Sequence, residues 1–240
     1  MSKDELYKNG EVAADFQFTD KVAEVFDDML ARSVPNYSQV IEMTAQLLGA
    51  FVKPGDRVYD LGCSTGNTLL QLARRLESRE LHFTGIDSSP AMVKKAALKA
   101  EMYSKKERLD FVEGDITDIV LEPAGGVILN YTMQFIRPLN RGEFLGKIHR
   151  ALRPGGVLVM SEKIISRDPL LNRKYIDFYL DFKRDQGYSE IEITMKREAL
   201  ENVLIPFSVE ENRKLLTEAG FTTVETFFQW FNFVSFVAVK

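Results

Sequence analysis

The chain has 240 residues, 45% of them apolar and 28% charged, which is enough to bury one full core and reads most simply as a single domain over 1–240. Its formal net charge of -4 lacks the basic footprint of a protein that grips nucleic acid through phosphates, so direct nucleic-acid binding is not expected. With Cys63 as the one cysteine an intramolecular disulfide is excluded, and His82 and His149 offer no metal-ligand cluster.

Met1 to Phe16 is charged and polar and lacks the apolar segment of a secretory signal, and no apolar run approaches a membrane span. A cytoplasmic protein is therefore expected. Lys21 to Arg32 and Ser38 to Val52 carry helical spacing on either side of Ser33-Val34-Pro35-Asn36, and residues 1–52 are expected to form a helical lid on the ligand side. From 53 to 162 strand-like and helix-like segments alternate, the pattern of a mostly parallel α/β sheet covered on both faces. The strands are read at Arg57 to Leu61, Leu81 to Ile86, Leu109 to Val112, Val127 to Tyr131 and Val157 to Ser161. The helices between them are read at Leu69 to Leu76, Met92 to Leu98 and Phe144 to Leu152. Ser89-Pro90 starts the second of these, and Arg153-Pro154-Gly155-Gly156 is expected to end the third and turn the chain into the next strand.

Residues 163–207 are too long for a plain crossover and read as an insertion, with an aromatic-studded helix (Tyr175, Phe178, Tyr179, Phe182) and then a charged segment, Met195 to Val203. Ser208-Val209-Glu210-Glu211 is a capping box, Gly220 stops the helix it opens, and Phe221 to Lys240 reads as a two-stranded ending.

The most informative segment is Tyr59-Asp60-Leu61-Gly62-Cys63-Ser64-Thr65-Gly66-Asn67, a strand, a glycine turn and a helix start. Such a turn lets backbone approach a ligand at a helix N-terminus. The dinucleotide fingerprint G-x-G-x-x-G is not present, because Ser64 stands between Gly62 and Gly66. Asp60, read as inside the turn, suits a cationic or hydroxyl-bearing ligand better than a diphosphate. Cys63 sits near the helix start, which would lower its pKa, yet no histidine lies near it in sequence to make it a nucleophile.

In α/β sheets ligands bind beyond the carboxyl ends of the strands, so the residue ending each strand is a candidate. Asp87 ends strand two, where a carboxylate accepts hydrogen bonds from ribose hydroxyls. Asp115 ends strand three, where an acid meets an adenine amino group while Ile116 packs on the ring. Asn130 ends strand four in an apolar run and needs partners for its amide. Glu162 and Lys163 end strand five and read as a pair that neutralise each other or face solvent.

The turn resembles motif I of the class I S-adenosylmethionine-dependent methyltransferases, with the middle glycine replaced by Ser64. That superfamily implies a Rossmann-like, mostly parallel seven-stranded sheet with an antiparallel C-terminal hairpin and helices on both faces. A narrower resemblance rests on Val22-Ala23-Glu24-Val25-Phe26, Arg32-Ser33-Val34-Pro35, Tyr37-Ser38, Ser161-Glu162-Lys163, Asp181-Phe182-Lys183-Arg184, Gly187-Tyr188-Ser189-Glu190, Lys196-Arg197, Leu200-Glu201-Asn202-Val203 and Phe231-Asn232-Phe233. Together these are similar to the carboxy-S-adenosyl-L-methionine synthases over nearly the whole chain.

That resemblance implies conversion of S-adenosyl-L-methionine and prephenate to carboxy-S-adenosyl-L-methionine and phenylpyruvate, in a homodimer. The product supplies a wobble-uridine modification of tRNA made by a separate enzyme. The binding residues it implies are Tyr37, Gly62, Cys63, Ser64, Asp87, Ser88, Asp115, Ile116, Asn130 and Arg197, with no catalytic base identified. Ser88 stands where many members have asparagine, and binding with an altered contact is expected. Arg197 would offer a planar, permanently charged partner to the added carboxylate. The alternative reading is a conventional methyltransferase acting on a small acceptor, with the insertion as its acceptor lid. A non-catalytic binder and a reductase are more distant alternatives.

Overall fold

The computed structural model describes residues 3–8, 15–102 and 106–240. Eight α-helices and seven strands are found among them. The sheet has the order β3-β2-β1-β4-β5-β7-β6, formed by β1 (Arg57–Leu61), β2 (His82–Asp87), β3 (Leu109–Glu113), β4 (Ala124–Asn130), β5 (Leu152–Lys163), β6 (Thr223–Trp230) and β7 (Phe233–Val239). The first five run parallel, and β7 pairs antiparallel with both β5 and β6. Six strands therefore point one way and β7 the other. The expected class I methyltransferase architecture is present.

Alternating side chains on the central strands feed two cores. Tyr59, Leu61, Val127, Leu129, Leu158 and Met160 join Phe144, Leu145 and Ile148 of α5 (Pro138–Ala151) and Leu216 of α8 (Val209–Glu218) on one face. Val58, Ile128, Val157 and Val159 join Ile41, Leu48, Leu69 and Leu72 of α2 (Tyr37–Phe51) and α3 (Asn67–Arg75) on the other. Both faces are covered, as parallel sheets require. The second helix therefore lies on the sheet, while α1 (Asp20–Ser33) packs against α4 (Pro90–Glu101) through Phe26, Met29 and Met92.

Several local expectations shift. β5 begins at Leu152, so Pro154-Gly155-Gly156 is a bulge inside a strand: Ala124 pairs with Leu152 and Gly126 already with Val157. Gly155 makes this possible at φ 71°. β4 starts early, at Ala124, because Gly125 leaves room for the Asp56 carboxylate that Arg153 grips. Asp60 belongs to β1 and not to the turn. The charged segment is α7 (Glu190–Leu200), opened by a Ser189/Glu192 capping box. Helices α6 (Pro169–Asp185) and α7 make up most of the insertion, whose two ends meet where Ile164 pairs with Phe207.

The chain before α1 is more than a polar leader. Asp4 is buried and Phe16 joins the core beneath α1; residues 1–2 and 9–14 of that stretch lie outside the described residues. Among the described residues no helix is long and apolar enough to cross a membrane.

Candidate active site

Strand order reverses between β1 and β4, whose neighbours β2 and β5 lie on opposite sides. A crevice opens at such a switch point beyond the carboxyl ends of the strands. Here it is a cavity of about 710 Å³, and all ten residues expected to bind, Tyr37, Gly62, Cys63, Ser64, Asp87, Ser88, Asp115, Ile116, Asn130 and Arg197, line it.

The sheet edge builds an acidic floor. After β1 the turn is fixed by the N–H groups of Gly62 and Cys63, which both donate to the Ile86 carbonyl at 2.8 and 3.0 Å. Gly62 has φ 80°, and a Cβ there would lie 2.5 Å from the Thr132 side chain, so no other residue fits without a shift. Ser64, which replaces a motif glycine, takes that glycine's left-handed conformation at φ 49°. Its N–H donates to Asp87 Oδ2 at 2.9 Å, and the Ser89 N–H donates to Asp87 Oδ1 at 2.9 Å. Asp87 is thus tied to the turn and to the start of α4, with one lone pair on each oxygen left for a ligand. Thr65 Oγ1 donates to Asp27 of α1 at 2.5 Å, and Lys99 Nζ lies 2.5 Å from the other oxygen of the same carboxylate.

Cys63 is buried, and its thiol is pushed up by that burial and by the Asp60 and Asp87 carboxylates. The expected lowering at a helix start does not occur, because two negative neighbours and desolvation outweigh the dipole. Asp115 is exposed and spends Oδ1 on the Thr117 N–H and hydroxyl at 2.8 and 2.7 Å. Ile116 leans on the apolar core beside it, and Ser88 is exposed to the opening.

Asp60 is 1% exposed, and among the described residues neither carboxylate oxygen has a hydrogen-bond partner. Burial, and secondly Asp87, raise its pKa to about 7. A buried carboxylate with nothing to pair with is rare in a finished structure and asks for a cation from outside. Asn130 has one satisfied end: its Nδ2 donates to Thr68 Oγ1 at 3.1 Å, while Oδ1 is buried without a partner. Thr68 also shares a proton with the Tyr37 hydroxyl at 3.0 Å, and burial pushes the Tyr37 phenol up to about 12. The amide nitrogen thus finds its partner on α3.

The opposite end is cationic, and little of it was legible in the sequence. Glu162 and Lys163 do not pair. Glu162 is 2% exposed and accepts the Met133 and Gln134 N–H groups, both at 2.9 Å, which fixes the corner after β4. Its pKa rises to about 8 through burial. Lys163 instead faces the cavity with its Nζ 4.8 Å from the Tyr179 ring centre. Burial, with Arg197 nearby, lowers it to about 8. Lys183 of α6 and Lys196 of α7 line the same end, lowered by burial to about 7 and about 8. Arg197 is exposed on α7 yet borders the cavity and has no hydrogen bond or ion pair with the described residues. Between the two ends stand the phenols Tyr37, Tyr131 and Tyr179, the last donating to the Ser33 carbonyl at 3.0 Å.

Known proteins resemble this chain in sequence and in fold. The profile of a methyltransferase domain matches residues 58–156. A carboxy-S-adenosyl-L-methionine synthase of Desulfotalea psychrophila is 56% identical over 238 residues, covering 99% of this chain and 97% of that one. The protein of the same name from Methylococcus capsulatus is 43% identical over 242 residues, covering 100% of each. Among solved structures, human N-acetylserotonin methyltransferase in complex with SAM aligns with a TM-score of 0.61 at 20% identity, over 92% of this chain and 55% of that one. A methyltransferase bound to the Haloferax volcanii Trm112 activator aligns with a TM-score of 0.62 at 19% identity, over 95% of this chain and 99% of that one. The last two share the fold.

Proposed function

The chain belongs to the carboxy-S-adenosyl-L-methionine synthase family, and from that premise we propose how its cavity serves the reaction: S-adenosyl-L-methionine and prephenate enter, carboxy-S-adenosyl-L-methionine and phenylpyruvate leave. The observation that carries this reading is a single cavity with an unpartnered buried carboxylate at one end and clustered, partner-poor cations at the other. A ligand with an ammonium and a sulfonium answers the first. Substrates and product bearing extra carboxylates answer the second.

In this reading Asp87 holds the ribose hydroxyls, Asp115 and Ser88 meet the adenine edge, and Ile116 packs on its face. Asp60 and the Gly62 turn face the amino-acid end. Arg197, with Tyr37 as a phenolic neighbour, receives the carboxylate added beside the sulfur. The S-methyl carbon next to a sulfonium is weakly acidic. As prephenate aromatises, the bond to its ring carboxylate breaks to give carbon dioxide, and the ring hydroxyl departs as hydroxide. That hydroxide takes a methyl proton and becomes water, and the resulting ylide carbon attacks carbon dioxide, leaving the new carboxylate on the sulfonium. No side-chain base is needed for the balance. The walls must exclude water from the ylide, which the phenols and the Phe18, Phe26 and Phe135 side chains lining the cavity favour.

The product would feed a tRNA wobble-uridine modification carried out by a separate enzyme, which places the protein in the cytoplasm with its consumer. A homodimer fits the apolar stripe left open on α6 and the β6–β7 turn, where Leu170, Leu171, Phe178 and Phe231 are 67%, 46%, 41% and 39% exposed; light scattering during gel filtration checks it. The decisive experiment is mass spectrometry of the purified protein incubated with S-adenosyl-L-methionine, with and without prephenate. A product heavier than the substrate by one carboxyl group, formed only with prephenate, is expected. Robust S-adenosylhomocysteine production with a small acceptor and no such product would instead make this a conventional methyltransferase.

A further inference from the structure

Three of the cavity's cations are given no part in holding the adenosyl group by the reading above. Lys163 ends β5, Lys183 lies in the last turn of α6, and Lys196 lies in α7. Lys183 and Lys196 are only 6% and 5% exposed. They form a column with two aromatic rings between them. Tyr179 has Lys163 and Lys183 at 4.8 and 5.0 Å from its centre, and Tyr188 has Lys183 and Lys196 at 6.0 and 5.4 Å. Among the described residues the one carboxylate bonded to any of them is Asp4, whose Oδ2 lies 3.4 Å from Lys196 Nζ and already accepts the Tyr188 hydroxyl at 2.6 Å.

Burying three strongly hydrated ammonium groups against one shared acid is costly, and π-faces return only part of that cost. Packing alone would be better served by leucine or methionine. The arrangement makes physical sense when a mobile, multiply charged anion completes it.

We propose that Lys163, Lys183 and Lys196 form a second anion subsite, distinct from the Arg197 contact, that receives the two carboxylates of the one-carbon source and holds it against the adenosyl group. This rests on the reaction given above, with prephenate as that dianion. The column begins next to Arg197, which is close enough to act on the charge of Lys163. The leaving carbon dioxide is therefore released beside the position of the new carboxylate, and does not have to cross solvent. The groups that face the column are Asp4 from the N-terminal segment, Arg32 and Asp28 from α1, Tyr179 from α6, Tyr188 from the link between α6 and α7, and Arg197 from α7. Because burial lowers all three amines toward neutrality, arrival of the dianion should draw protons onto them.

The test titrates prephenate calorimetrically into protein saturated with S-adenosylhomocysteine, whose neutral sulfur cannot form the ylide, near pH 8 in two buffers of different ionisation enthalpy. Net proton uptake is expected for the wild type. Lys183→Met and Lys163→Met should each weaken prephenate binding by about tenfold or more, while S-adenosylhomocysteine affinity stays within about twofold and reports that the variants are folded. Equal weakening of both ligands, or unchanged prephenate affinity, overturns the subsite. If the wild type makes the carboxylated product while the variants bind prephenate normally, the subsite fails and the reaction stands. If the wild type makes no such product yet the variants selectively lose prephenate, the subsite stands and the reaction fails.

Discussion

At the sheet edge the cavity is lined by carboxylates on strand ends whose positions are set by the β ladder; under α6 and α7 it is lined by amines, two reaching in from those helices and one, Lys163, from the end of β5. The first half is held by main-chain geometry: Asp87 by two N–H groups, Gly62 and Cys63 by the Ile86 carbonyl. The second is held by rings and by a single acid from near the N-terminus. The difference teaches a division of labour. On the proposed reading, the acidic floor recognises the constant, cationic part of every adenosyl ligand, and the cationic end distinguishes which anion accompanies it.

The largest effect should come from breaking the floor. Asp87→Ala removes a carboxylate that braces the turn and, as proposed, holds the ribose, so binding of S-adenosyl-L-methionine and of its carboxylated form should fall alike, by about 100-fold each, measured by calorimetry. A loss confined to one ligand would contradict the division. Arg197→Leu breaks the lid: affinity for the carboxylated ligand should drop by about 30-fold while that for S-adenosyl-L-methionine changes by less than about twofold. Equal losses would show that Arg197 merely supports the fold.

The two halves should also respond to pH with opposite sign. Asp60 has a folded pKa near 7 against 3.8 as a free carboxyl. The folded state then binds the extra proton between those values, so this group lowers stability as pH rises through that window. Lys183 has a folded pKa near 7 against 10.5. Here the unfolded state binds the extra proton, so the group costs most below neutrality and stability recovers as pH rises toward 10.5. Thermal melting of the ligand-free protein should show Lys183→Met stabilised by roughly 1–3 kcal/mol at pH 6 and little changed at pH 10. Asp60→Asn should gain about 1 kcal/mol above pH 7 and little near pH 4. Gains that grow in the same pH direction for both variants would mean that the ends are not charged as described. The smallest effect is expected between the halves: Tyr37→Phe breaks one hydrogen bond to Thr68 and should weaken both ligands by about fivefold, or roughly 1 kcal/mol.

Local chemistry made much of this readable in advance. The glycine turn, the Ser208 capping box, the alternating strands and the acids after β2 and β3 are each contained within a few residues, and backbone sterics and hydrogen-bonding rules act at that range. The bulge at Pro154-Gly155-Gly156 was misread as a turn because the same residues serve both, and only pairing with β4 and β7 decides which. Ser64 shows a milder version: a serine adopts a glycine's left-handed geometry because Asp87 and the Ile86 carbonyl anchor the backbone around it.

By itself, then, the sequence determined the parallel sheet, a ligand site beyond the carboxyl ends of its strands and the acids that face it, since strand ends in an α/β fold are placed by topology. What only the tertiary structure decided is the cationic half. Asp4 lies near the start of the chain while Lys163, Lys183, Tyr188 and Lys196 fall in or beside the insertion, and individually they are indistinguishable from solvated surface residues. Folding the insertion back over the sheet, with its ends joined at Ile164 and Phe207, buries Asp4, Lys183, Tyr188 and Lys196 together and half-buries Lys163 beside them. Desolvation and mutual repulsion are collective properties of that enclosure, so they have no signature in the spacing of residues along the chain.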